Sequence, residues 1–157
     1  MIDELFGDIE YDFQWMGKCV LPIFGKRVAI ALSIPCDEAS EIEVAQREAF
    51  ATFQEHKGTL CRLAEEAIFE YYLRILPECR ARFGPEFADQ WAPEVGTLSD
   101  VGRLVTLTEM IIQRSFTDPR ERVVGLLFDC SWDVSLGLAV KFINEHLSEV
   151  GTQDIVL

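Results

Sequence analysis

At 157 residues, 49% of them apolar, the chain has the length of one domain and enough hydrophobic sequence to bury a substantial core, which excludes a disordered polypeptide. Its 27 acidic and 14 basic side chains leave a net charge of −13. That charge argues against nucleic acid and anionic membranes as partners, because both need basic patches, and it favours a basic protein partner by long-range steering.

The first twelve residues carry five acids and no base, the reverse of a secretory leader, so a cytoplasmic location is expected. No run approaches the ~18 uninterrupted apolar residues of a membrane span. Within that acidic leader Leu5, Phe6 and Ile9 stand at loose helical spacing, which predicts a short helix or turn packing its apolar side down.

Residues 13–34 read as a β-hairpin turning at Gly25-Lys26. Val28, Ile30, Leu32 and Ile34 share one face of its second strand. The opposite face carries only Ala29, Ala31 and Ser33, which suits the close approach of another layer or a lightly covered surface. Pro22 ends the first strand or places it at a sheet edge.

After Pro35, Ser40 with Glu43 three positions on forms a capping-box pattern, predicting a helix over 41–56 with Val44, Ala45, Ala49, Phe50 and Phe53 on its apolar stripe. Lys57-Gly58 ends it, and Thr59 caps a second helix over 60–76 that Pro77 ends or kinks. Running one helix through Gly58 instead would cost about 1 kcal/mol relative to alanine. Residues 78–98 mix aromatics with glycine and proline and read as an irregular connection pinned by Phe83, Phe87 and Trp91. Ser99 or Asp100 then caps a third helix over 100–115, whose buried stripe is Val101, Leu104, Val105, Thr108, Ile111 and Ile112.

From Asp118-Pro119 onward the pattern is that of strands. Val124, Leu126, Phe128, Cys130 and Trp132 alternate on one face, with Val123, Gly125, Leu127, Asp129 and Ser131 on the other. Residues 133–137 form a loop, Leu138, Val140 and Phe142 face inward on the next strand, Asn144-Glu145-His146 turns, and the last strand breaks near Gly151. The expectation is a single α+β domain over 1–157: an N-terminal β-hairpin, two to three central helices, and a C-terminal antiparallel β-meander forming one sheet packed on the helices.

Chemistry-bearing motifs are scarce. The five cysteines contain no C-x-x-C, and the closest pair, Cys19 and Cys36, are 17 positions apart. With only His56 and His146 beside them, no zinc-like spacing exists, so neither a metal nor a cofactor is expected and the cysteines read as reduced and mostly buried. No phosphate-binding glycine loop and no G-x-S-x-G motif is present. Cys130 is the most conspicuous candidate nucleophile. It shares a face with Phe128 and Leu126, and its neighbouring charges, Asp129 and Asp133, oppose a thiolate, so it reads as a core residue and no catalytic residue is assigned. Asp133 suits a loop-capping role.

The stretch from 125 to the end, with Cys130, Trp132-Asp133, Gly137 and Val150-Gly151-Thr152-Gln153-Asp154, resembles the C-terminal hallmark of an uncharacterised family of small bacterial proteins. The glutamine in the first helix and the Tyr71-Tyr72 pair late in the second are also similar. The sequence departs from the pattern at Thr152, where an aromatic is expected. Some such small acidic domains look like immunity proteins encoded beside secreted toxins. The resemblance thus implies a non-enzymatic protein that neutralises a partner, such as a basic toxin domain, by covering it. The acidic surface expected to do so comprises Asp129, Asp133, Glu145, Glu149 and Asp154. Two other readings stay open: a structural or regulatory subunit that self-associates through a sheet edge, and an enzyme with an acidic pocket.

Overall fold

The structure is a computed structural model that describes all of residues 1–157, and it is α+β. The acidic leader forms no helix. It folds as a small hairpin, β1 (Ile2–Asp3) against β2 (Gly7–Asp8), with Phe6 and Ile9 buried as its spacing implied. The Asp3 carboxylate closes the turn by accepting hydrogen bonds from the Leu5 and Phe6 amides at 2.8 and 3.1 Å, and Gly7, with a left-handed φ of 77°, reverses the chain into β2 where a helix would continue.

Next come β3 (Glu10–Tyr11), β4 (Trp15–Ile23) and β5 (Lys26–Ile34). The β4–β5 turn is Phe24-Gly25, both in the left-handed region, which is the two-residue turn that matches strand twist. β3 pairs only with Trp15 and Met16, so the rest of β4 is a free sheet edge, and Pro22 lies on it.

α1 spans Val44–Glu55 and α2 spans Lys57–Trp91, separated at His56. The capping box is formed by Glu43 with Gln46, not by Ser40, which lies three residues too early. The second helix does not start at a Thr59 cap, nor does it stop at Pro77. It continues through 78–91, where an irregular connection was expected, with a break in helical geometry at Gly84 followed by Pro85 as a fresh first-turn residue. Tertiary contacts override the breakers: Leu76, Cys79, Ala88 and Ala92 are buried, and Arg80 donates to the Ala92 carbonyl and the Asp89 carboxylate at 2.8 and 2.7 Å. Of the three aromatics expected to pin this stretch, Phe87 and Trp91 are exposed.

The third helix is also different. α3 covers only Leu98–Gly102, capped by Thr97 with Asp100 rather than by Ser99 or Asp100, and Val105–Gln113 is strand β6. Then follow β7 (Val123–Cys130), β8 (Leu138–Ile143), β9 (His146–Gly151) and a short 3-10 turn at Gln153–Ile155.

β3 to β9 form one seven-stranded sheet in chain order, antiparallel throughout except that β5 and β6 run parallel, because the helical segment between them is a crossover connection. α1, α2 and the leader hairpin cover one face, where the main core lies around Phe53, Ile68, Tyr72, Met110, Leu126, Phe128 and Phe142. The other face carries a small cluster of Ile111, Leu127, Ala139 and Val156 under the C-terminal turn. At its β4–β5 side that face is lightly covered, with Ala29 exposed and Ala31 half-buried. No helix is long and apolar enough to cross a membrane.

Candidate functional site

The C-terminal end of β7 is where the chain's unusual residues meet. Cys130 and Trp132 are buried on the core face, as their alternation requires. Trp132 packs on Tyr72 of α2 with ring centroids 4.7 Å apart, and the Tyr72 hydroxyl donates to the Pro93 carbonyl at 2.6 Å. Burial pushes the Cys130 thiol up to about 12, so it is a neutral thiol at neutral pH, and it donates to the Asp133 carbonyl at 3.4 Å.

Asp133 caps the loop as expected: its carboxylate accepts from the Leu136 amide at 3.0 Å, and its carbonyl accepts from Gly137. Gly137 has a φ of 62° and lies flush against Gln153, whose side-chain nitrogen would sit 2.5 Å from an added Cβ. Gln153 donates from its side chain to the Phe128 carbonyl at 2.9 Å and from its amide to the Leu136 carbonyl at 2.9 Å. The residues that stood out in the sequence therefore lock one corner of the fold: strand end, loop and C-terminal turn are bonded to one another and stacked on α2.

Around this rigid corner the surface is exposed. Val134 and Leu136 project from the loop with 86% and 57% of their surface accessible, and Trp91, 40% exposed, is tied alongside by the Ser131 hydroxyl donating to its carbonyl at 2.9 Å. Asp129 at the end of β7 and Asp154 in the C-terminal turn are exposed, and Asp133 in the loop is half-buried. The Thr152 hydroxyl donates to the Asp154 carboxylate.

The other two acids anticipated for this surface lie elsewhere. Glu149 is on β9, directly opposite Lys141 of β8. Glu145 sits in the β8–β9 turn at the far end of the six-residue β8, about 20 Å from the loop by strand rise, where both its oxygens accept from Arg122 at 2.7 and 2.8 Å. Of the apolar residues of the corner, Trp91 is expected from the sequence to pin 78–98 to the body, and Val134 and Leu136 are not singled out; the available signal is the pattern Val134-Ser135-Leu136 inside a segment read as a loop.

A family model described as Domain of unknown function (DUF6985) matches residues 5–157. The chain belongs to that family. No curated protein and no solved structure matches it. Within this DUF6985 chain, no group of three or more His, Cys, Asp and Glu side chains converges as a metal site would require.

Proposed function

We propose that this chain is a non-enzymatic, cytoplasmic binding protein that covers a basic surface on a protein partner, as an immunity protein covers its toxin. One observation carries the reading: Trp91, Val134 and Leu136 are exposed apolar side chains on segments tied to one braced corner, and Asp129, Asp133 and Asp154 belong to the strand end, loop and C-terminal turn that build it. Apolar anchors inside a charged rim are the usual anatomy of a binding hot spot, and a corner braced by hydrogen bonds loses little entropy on docking. The net charge of −13 would steer a cationic partner towards it.

The test is rescue. Each gene flanking this one is expressed in a susceptible host with and without the protein, and survivors are counted. Rescue from a lethal neighbour supports the reading. Neither neighbour being toxic, or failure of rescue at good expression, counts against it. Where rescue occurs, Val134→Asp or the pair Asp129→Lys with Asp154→Lys should abolish it without lowering the melting temperature, since all three side chains are exposed.

A second reading, a subunit that assembles through a sheet edge, draws on β9. His146 to Glu149 are exposed, β9 pairs only with β8, and the strand has neither the proline nor the lysine that guards the β4 edge. Light scattering on the purified protein tests it: a stable dimer favours this reading and a monomer at high micromolar concentration removes it.

A further inference from the structure

We infer that a cleft between the β4–β5 turn, α3 and the start of β6, one strand over from the end of β7, is a binding site for a small, singly charged anion with an apolar body. This inference does not rest on the partner-binding reading. The cleft has a volume of about 460 Å³, within the ~300–1,000 Å³ range of small-molecule sites. Phe24, Val28, Leu98 and Val105 give it apolar walls. Its shape is preformed: Gly102 lies so close to Phe24 that an added Cβ would meet the ring at 2.8 Å, and the Glu65 carboxylate of α2 holds the Phe24 amide at 3.1 Å. Phe24 itself adopts a left-handed φ of 47°, unusual for a bulky aromatic and held here by those two contacts.

The charges on the cleft select the ligand. Lys26 and Arg103 both line it. Lys26 enters no ion pair, and Arg103 meets only Asp100, at 3.6 Å with its own side chain 80% exposed. Two loosely partnered cations on one apolar cleft stand out in a chain of net charge −13. The one carboxylate in the wall, Glu65, is engaged by the Phe24 amide, and it disfavours a second negative charge on the ligand. The chemistry recognised is therefore a monoanionic head group between Lys26 and Arg103, with a hydrocarbon body against Phe24 and Leu98.

The experiment is isothermal titration calorimetry of the full chain with three probes of one chain length: decanoate, decanol and decylammonium. Decanoate is expected to bind more tightly than decanol, and decylammonium most weakly. Lys26→Met and Arg103→Met should each weaken decanoate about three- to fivefold, the range of an exposed charge pair, and the double variant should bind decanoate no better than decanol. Both side chains are exposed, so the variants should melt as the parent does. No decanoate binding at millimolar concentration, a preference for decylammonium or decanol, or a decanoate preference that survives in the double variant would each overturn the inference.

Discussion

Replacing Gln46 by methionine keeps the volume of a side chain that is 1% exposed and removes all three of its hydrogen bonds. Its amide nitrogen donates to the Pro35 carbonyl at 2.8 Å and to the Ile112 carbonyl at 3.0 Å, and its oxygen accepts from the Glu43 amide at 3.1 Å. This one side chain joins the end of β5, the end of β6 and the start of α1. Stranding the buried Ile112 carbonyl costs about 2 kcal/mol, and the partly buried Pro35 and Glu43 groups together about 1 kcal/mol. The expected loss is about 3 kcal/mol from a total of roughly 5–15 kcal/mol, with a fall in Tm of about 6–12 °C. Urea unfolding followed by tryptophan fluorescence measures it. Gln46→Glu is the control. It keeps an acceptor for Glu43 but turns a carboxylate towards two carbonyl oxygens, so at pH 7 it should be less stable than Gln46→Met. Those oxygens and burial raise the new carboxyl above its unfolded value of about 4.3, so the deficit should shrink as pH falls from 8 to 5 and the group takes up a proton that it can donate. The reasoning fails if Gln46→Met lies within about 0.5 kcal/mol of the parent, or if Gln46→Glu is as stable as Gln46→Met at pH 7.

Three further outcomes are expected. Gly125→Ala should destabilise by about 1–3 kcal/mol and free the C-terminal turn to proteolysis, because the added carbon would lie 2.8 Å from both Ile111 and Val156; an unchanged melt would refute this. Asp3→Asn should cost about 1 kcal/mol at pH 7, a figure discounted for the 39% exposure of Arg47. The bidentate Arg47 guanidinium, with the Phe6 and Leu5 amides, holds the Asp3 carboxyl well below the usual carboxylate range; its contribution is complete above the unfolded value of about 3.9 and is lost only as pH falls from there through the much lower folded value, so the gap between parent and variant should begin to narrow below about pH 4 and still be narrowing at about pH 3, and a gap already closed at about pH 4 would contradict it. Burial pushes the thiols of Cys19, Cys61 and Cys130 up to about 11, 12 and 12, so an aromatic disulfide reagent at pH 8 should label the native protein slowly and all five cysteines only in denaturant; rapid labelling of Cys130 would reverse its assignment to the core.

The strands that could be read from the sequence are those whose pattern is local. The β4–β5 hairpin and the run from Val123 to Gly151 alternate with period two between turn residues, and a half-buried strand needs nothing more to declare itself. Strand β6 failed that test for a physical reason. A bulge between Leu107 and Glu109 puts Val105, Leu107, Met110 and Ile112 on the core face, a spacing that imitates a helix, and pairing to β5 and β7 on its two sides decides the matter. Likewise Pro77 is a local stop signal that α2 runs through with Leu76 and Cys79 buried on either side, whereas Gly84 does break the helical geometry, and the burial of Ala88 and Ala92 holds the turns that restart at Pro85 against the body. Composition alone determined the acidity and the core-forming content, strand alternation placed Cys130 on the core face, and burial in the folded chain keeps its thiol neutral. Which acids stand together was decided by topology: the length of β8 separates Glu145 from Asp133, and the C-terminal turn folding back onto the loop brings Asp154 towards it, distances that no spacing along the chain encodes.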